Sequence, residues 1–148
     1  MLEFEIAAIY YFIAGVVTAT PYFEEVPKDL LTPCIFYPTP EPDASLYSTG
    51  AFATRFVMYI KFMDHDTMSA YNMAAAALKA VMKKRNKIPI IDETGEPTGK
   101  HFRVNEPKVK KIEQGVYQME LSWNRYTRYE AADIQRAQDI FINGAPIS

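Results

Sequence analysis

The chain has 148 residues, 16 Lys or Arg against 18 Asp or Glu, and a formal net charge of -2. That is the size of one domain, without the basic excess that binding to phosphate backbones requires. Its 49% hydrophobic and 23% charged residues exclude a disordered chain, because the apolar surface is sufficient to offset the ordering entropy, and its single cysteine, Cys34, excludes an internal disulfide and gives no sign of an oxidising compartment.

In residues 2–17, Leu2, Ile6, Ile9, Tyr10, Ile13, Val16 and Val17 recur at three- and four-residue steps. This spacing predicts a buried helix, with a strand as the second reading because β-branched and aromatic residues lower helix propensity. The apolar run 6–19 carries Glu3 and Glu5 where a signal sequence has basic residues, and it is too short to span a bilayer. It is therefore expected to stay attached, and no membrane partner is expected.

Six of the ten prolines fall between Pro21 and Pro42, so residues 20–50 read as a Pro-rich connecting segment of extended or turning backbone. Within it only 34–37, bounded by Pro33 and Pro38, reads as a strand. The stretch 39–50, TPEPDASLYSTG, is rich in turn formers and predicts an exposed loop.

Alternation then sets in. Phe52, Thr54, Phe56, Met58, Ile60 and Phe62 fall on one face of a predicted strand, with Arg55, Tyr59 and Lys61 on the other. Asp64 or Asp66 is positioned to cap a helix whose expected apolar stripe is Met68, Tyr71, Ala75, Leu78 and Met82, and Lys83, Lys84 and Arg85 suit its negative C-terminal end. The alanine run 74–77 leaves that helix thin on one side, so its backbone can approach a sheet. Residues 88–91 and 100–104 predict a hairpin with a solvated tip at 92–99, DETGEPTG. Residues 108–113 and 116–126 predict a second hairpin, with Tyr117, Met119, Leu121 and Trp123 on one face. A last helix is expected at 130–142, ending at Asn143-Gly144. The expected fold class is α+β: one domain over 1–148, an antiparallel sheet of about four to five strands with two or three helices packed mainly on one face.

No catalytic, cofactor or metal site is expected. Asp64-His65-Asp66 has ligand residue types, but consecutive side chains do not converge, and capping accounts for them better. His101 has no acid beside it to make it a base, and Cys34 between Pro33 and Ile35 reads as a buried thiol. Six glycines form no phosphate-cradling loop. Lys108, Lys110 and Lys111 with Lys100 and Arg103 suggest a basic strip, read as a solvated, aggregation-resistant strand face rather than a nucleic-acid path. The acids Glu24, Glu25, Glu41 and Asp43 fit two readings equally, pairing with another subunit or ordinary solvation. Nine Phe, ten Tyr and one Trp make aromatic surface available to protein partners.

The N-terminal helix, the segment PYFEEVPKDLLTPCIFYPTPE at 21–41, the polar loop, the long alternating strand, the amphipathic helix and the hairpin ending LSWNRY at 121–126 together resemble the tail terminator, or tail completion, proteins of long-tailed bacteriophages and phage-derived tail-like particles. The resemblance implies a ring, usually hexameric, that caps the tail tube and offers a surface to the head or a connector. It implies binding without catalysis, no cofactor, and as partners further copies of the chain, the tail tube protein, and a sheath, head-completion or connector protein. It places the chain in the virion tail or tail-like particle, and in the bacterial cytoplasm during assembly. A head-to-tail adaptor or an assembly chaperone is the nearest rival, and an enzyme using Cys34, His65 or His101 a more distant one. Under the ring reading, the expected interface residues are Glu41, Asp43 and Tyr47 in the 39–50 segment and Asp92, Glu93 and Glu96 in the hairpin tip.

Overall fold

A computed structural model of the chain describes residues 2–48 and 50–128. The described elements are α1 (Leu2–Ala14), β1 (Thr20–Phe23), β2 (Cys34–Tyr37), β3 (Glu41–Ser48), β4 (Ala51–Met63), α2 (Thr67–Lys83), β5 (Lys87–Ile91), β6 (Pro97–Arg103), β7 (Lys108–Glu113) and β8 (Val116–Arg128). The helix expected at 130–142 lies outside the described residues. The fold is α+β, as expected. Its main sheet has six strands in the order β1-β2-β4-β8-β7, with β3 paired to β4 off that path, and β5-β6 form a separate two-stranded ribbon. The pair β1-β2 is parallel, whereas β2-β4, β5-β6 and β7-β8 are antiparallel.

Two compact units make up the chain. Among the described residues the first is 2–41 with Val57–Trp123, and the second is 42–48 and 50–56 with 124–128. In the second unit β3 hydrogen-bonds β4, and Arg125 stands over the Phe56 ring at 5.8 Å. The expected loop at 39–50 is thus mostly strand. Its turn formers report only local preference, and pairing with a long neighbouring strand overrides that preference, because strand propensity depends largely on context. Among the described strands β3 pairs with β4 alone, and Pro42 sits second in it, next to the strand's start, where a missing N–H is best tolerated.

In the first unit, period-two burial follows the sequence closely. Met58, Ile60 and Phe62 of β4 and Met119, Leu121 and Trp123 of β8 are all buried, while Tyr59, Lys61, Gln118 and Glu120 between them are only half-buried; Ser122 is the exception, buried with its hydroxyl accepting from Asn105 Nδ2 at 3.0 Å. One face of the sheet therefore carries the core. On α1 the buried positions are Glu5, Ala8, Ile9 and Ile13, with Val17 beyond its end. The helix stops three residues before the predicted stripe does: Gly15 and Val17 close it with N–H bonds to Tyr11 and Ile13, and Val16 is left exposed. Tyr10 meets Phe23 and Tyr37 edge-on at 5.4 and 5.5 Å, and this cluster ties α1 to the β1-β2 edge.

The α2 stripe differs from expectation. Ala70, Ala74, Ala77 and Val81 are the buried face, whereas Met68, Tyr71 and Met82 are 62%, 43% and 49% exposed. The helix turns its small residues inward, so that its backbone comes close to what it covers, and the larger side chains one step round have no room there. Its start matches the sequence: Asp66 is the N-cap, its Oδ2 accepting from the Ser69 N–H at 3.3 Å and from Ser69 Oγ at 3.0 Å.

Where β4 ends, α2 begins and the β7-β8 turn passes, the three elements share Gly115. Its carbonyl accepts from Asp64 N–H at 3.0 Å, and its own N–H donates to Thr67 Oγ1 at 2.9 Å. Its φ is +80°, and a Cβ there would stand 2.5 Å from the Asp64 carbonyl oxygen. Gly99 has a similar φ of +84° but open space around it.

Two consequences are measurable by urea unfolding. Ala74→Leu should cost about 1–3 kcal/mol by overpacking, while Met82→Ala changes stability by less than about 0.5 kcal/mol; the reverse order would restore the stripe read from the sequence. Gly115→Ala should cost about 2 kcal/mol or more, combining left-handed strain with a backbone collision, and Gly99→Ala only about 1 kcal/mol.

Candidate protein interface

The residues with catalytic or ligand chemistry stay apart. His65 is on the surface, its Nδ1 2.7 Å from Asp64 Oδ1 with its side chain 83% exposed, and Asp66 is occupied in capping α2. His101 is exposed on β6 opposite Pro89. Cys34 is buried; burial, with a smaller contribution from the Asp64 charge, pushes its thiol above its usual range, away from thiolate. Among the described residues no three His, Cys, Asp or Glu side chains gather into a metal-binding group, and no helix is long and apolar enough to cross a membrane.

Surfaces are better developed. On the sheet face opposite the core, Phe36, Pro38, Thr39, Tyr59, Lys61 and Gln118, with Glu41 at the margin, line a groove of about 230 Å³. Lys61 stands beside Phe36 in the β2-β4 register, and Lys110 beside Gln118 in the β7-β8 register. The groove therefore carries two aromatic rings, Phe36 and Tyr59, and one lysine, Lys61. The outer face of α2 adds Met68, Tyr71 and Met82, with Tyr71 edge-on to Tyr117 at 5.4 Å.

The β5-β6 ribbon carries an acidic tip. Its tip is built around Asp92: Oδ1 accepts from Thr94 Oγ1 at 2.6 Å, Thr94 N–H at 2.8 Å and Glu96 N–H at 3.0 Å, while Asp92 N–H donates to the Glu96 carbonyl at 2.8 Å. These bonds, the Thr94 hydroxyl first, hold the carboxyl below its ordinary range. Gly95 takes φ +86° in the same turn and lies against the Tyr11 ring of α1. Glu93 and Glu96 are left exposed, pointing charge outward from a fixed loop.

Of the expected interface residues, Asp92, Glu93 and Glu96 come together in this turn, Asp92 as its internal anchor. Glu41 is exposed at the groove margin, and Asp43 is exposed on β3 in the second unit, where Tyr47 also belongs to β3. The lysines of β7 are exposed, as a solvated strand face requires. Lys108 and Lys110 share one face of β7, Lys111 points to the other, Lys108 faces Glu120 across the strands, and Lys100 and Arg103 belong to the separate ribbon. A different basic group was missed: Lys87 is directly opposite Arg103, next to Lys84 and Arg85 at the end of α2. The run KKRNK at 83–87 was its signal, read as helix-end charge alone.

No protein-family profile matches the chain. It is 25% identical over 137 residues to an uncharacterized protein, YqbJ, of Bacillus subtilis (strain 168), spanning 93% of both chains. It is also 25% identical over 122 residues to the phage-like element PBSX protein XkdJ of the same strain, spanning 82% of this chain and 84% of that one. A chain in the virion of a native gene transfer agent particle superposes with a TM-score of 0.45 and 15% identity over 84% of this chain and 94% of that chain.

Asp92→Ala should leave the core intact but release the tip. Amide hydrogen exchange at Thr94 and Glu96 is expected to quicken at least about ten-fold while β8 amides keep their protection; unchanged exchange at the tip would show that the carboxylate does not anchor it. Because the Asp92 carboxyl is held low, the tip bonds should persist as pH falls through the ordinary carboxylate range and loosen only as the depressed folded value is passed.

Proposed function

We propose that the chain is a structural component of a phage-type particle: a ring of identical copies that caps the tail tube, ends its polymerisation and presents the surface to which a head or connector attaches. The observation that carries this reading is the likeness along 82% of the chain to a protein of a phage-like element, joined to the resemblance of element order and of segment 21–41 to tail terminators. Binding is the whole activity in this reading. The surfaces suited to it are the Phe36-Tyr59-Lys61 groove, the outer face of α2 and the acidic ribbon tip, with Glu41, Asp43, Tyr47, Glu93 and Glu96 among the contacts to a neighbour or to the tube. No cofactor, metal, membrane or primary nucleic-acid partner enters it. Assembly takes place in the bacterial cytoplasm, and the product is the virion tail or a tail-like particle.

A ring needs head-to-tail contacts in which one patch meets a different patch of the neighbour. The groove and the ribbon tip are two such unlike patches on one unit. Removing the gene from a cell that makes the particle should give tubes of uncontrolled length, seen by negative-stain microscopy, and the purified chain should sediment as a closed ring, expected to be a hexamer. Tubes of normal length in its absence, together with a chain that stays monomeric at high concentration, would overturn the reading.

A further inference from the structure

The geometry points to a specific contact between copies, in which the acidic tip of the β5-β6 ribbon, Glu93 and Glu96, seats on the basic turn Lys84, Arg85, Lys87 and Arg103 of the next copy. This deepens the ring reading and rests on it. The occupant is a second copy of this chain, and what selects it is charge complementarity between the two ends of one ribbon.

The register fixes the two ends. Lys87 pairs with Arg103 at one end of the ribbon, and Ile91 with Pro97 at the other. Four strand residues separate these ends by roughly 13 Å, so the acids of the tip cannot reach the basic turn of their own copy. All four basic side chains are exposed, and among the described residues none forms an ion pair. Like charges placed directly across two strands repel, so the Lys87-Arg103 pair is an unfavourable arrangement that a facing anion relieves.

Both ends are also pre-formed. The turn after α2 is closed by N–H bonds from Arg85 to the Met82 carbonyl, from Asn86 to Val81 and from Lys87 to Lys84, and the Asn86 carbonyl accepts from Val104. Arg85 and Asn86 hold left-handed φ of 56° and 63°, a conformation that costs free energy in non-glycine residues and here directs the basic group outward. At the tip Asp92 is engaged inside the turn, so Glu93 and Glu96 are the charges left to meet a partner. Two rigid, opposite patches lose little entropy on meeting, and a head-to-tail arrangement of copies through them gives a heterologous contact, the kind that closes rings. A nucleic-acid polyanion would use the basic turn alone and leave the acidic tip idle; the formal charge of -2 disfavours it.

The test uses the full-length chain and follows assembly by analytical ultracentrifugation at low and high salt. Lys84→Glu, Lys87→Glu and Arg103→Glu together give the basic turn a net negative charge, so that both patches are acidic, and Glu93→Lys with Glu96→Lys makes both basic. Each variant alone should assemble on the order of ten-fold or more weakly than the parent, and an equimolar mixture of the two should regain assembly by alternating round the ring. Regain in the mixture also shows that both variants are folded, and circular dichroism checks each separately. Parent-like assembly of either variant, or a mixture no better than its components, overturns the proposal. So does loss of binding to duplex DNA on reversing Lys84, Lys87 and Arg103, with assembly untouched, which would assign the basic turn to a polyanion. If the parent chain itself never assembles, the ring reading falls first and this contact with it.

Discussion

Three elements of the first unit converge on one glycine. The end of β4, the first turn of α2 and the β7-β8 turn meet at Gly115, which gives its carbonyl to Asp64 and its N–H to Thr67 and leaves no space for a side chain. The Asp64-Gly115 bond also sets how β4 and β8 lie together. Three residues from it in each strand, Lys61 and Gln118 line the same groove, so the two long strands run antiparallel. A shift of one residue at this junction would exchange the faces of both strands, moving Met58, Ile60 and Phe62 outward and Tyr59 and Lys61 into the core.

The second constraint is the thinness of α2. Burying Ala70, Ala74 and Ala77 gains little area per residue but lets the helix lie close, and it places Met68, Tyr71 and Met82 on the outside. Keeping them outward leaves an apolar helix face beside the Tyr71-Tyr117 contact, the composition found at the centres of protein interfaces. The core and the candidate surface are thus two results of one choice of helix rotation.

The ribbon is organised on another principle. Its strands bury little beyond Ile88, and its definition comes from hydrogen bonds: the Asp92 carboxylate at the tip and the left-handed Arg85-Asn86 turn at the base. Hydrogen bonding without much burial leaves charge at the surface and holds it in place. The ribbon thus presents charge rather than covering a core.

The sequence by itself determined the elements whose pattern is local: the alternation of β4 and β8, a cap at Asp64 or Asp66, the two hairpins and the α+β class all follow from side-chain period and turn chemistry within a few residues. It also marked Asp92, Glu93 and Glu96 as one group, because a turn keeps neighbours together. Only the tertiary structure decided the rest. The 39–50 segment becomes strand because β4 supplies hydrogen bonds that composition does not reveal. The α2 stripe rotates toward its alanines because available space, and not hydrophobicity, selects the buried face. Lys87 meets Arg103 across sixteen residues of chain, a pairing set by strand register. Each of these depends on partners distant in sequence, and periodicity along a single chain carries no record of them.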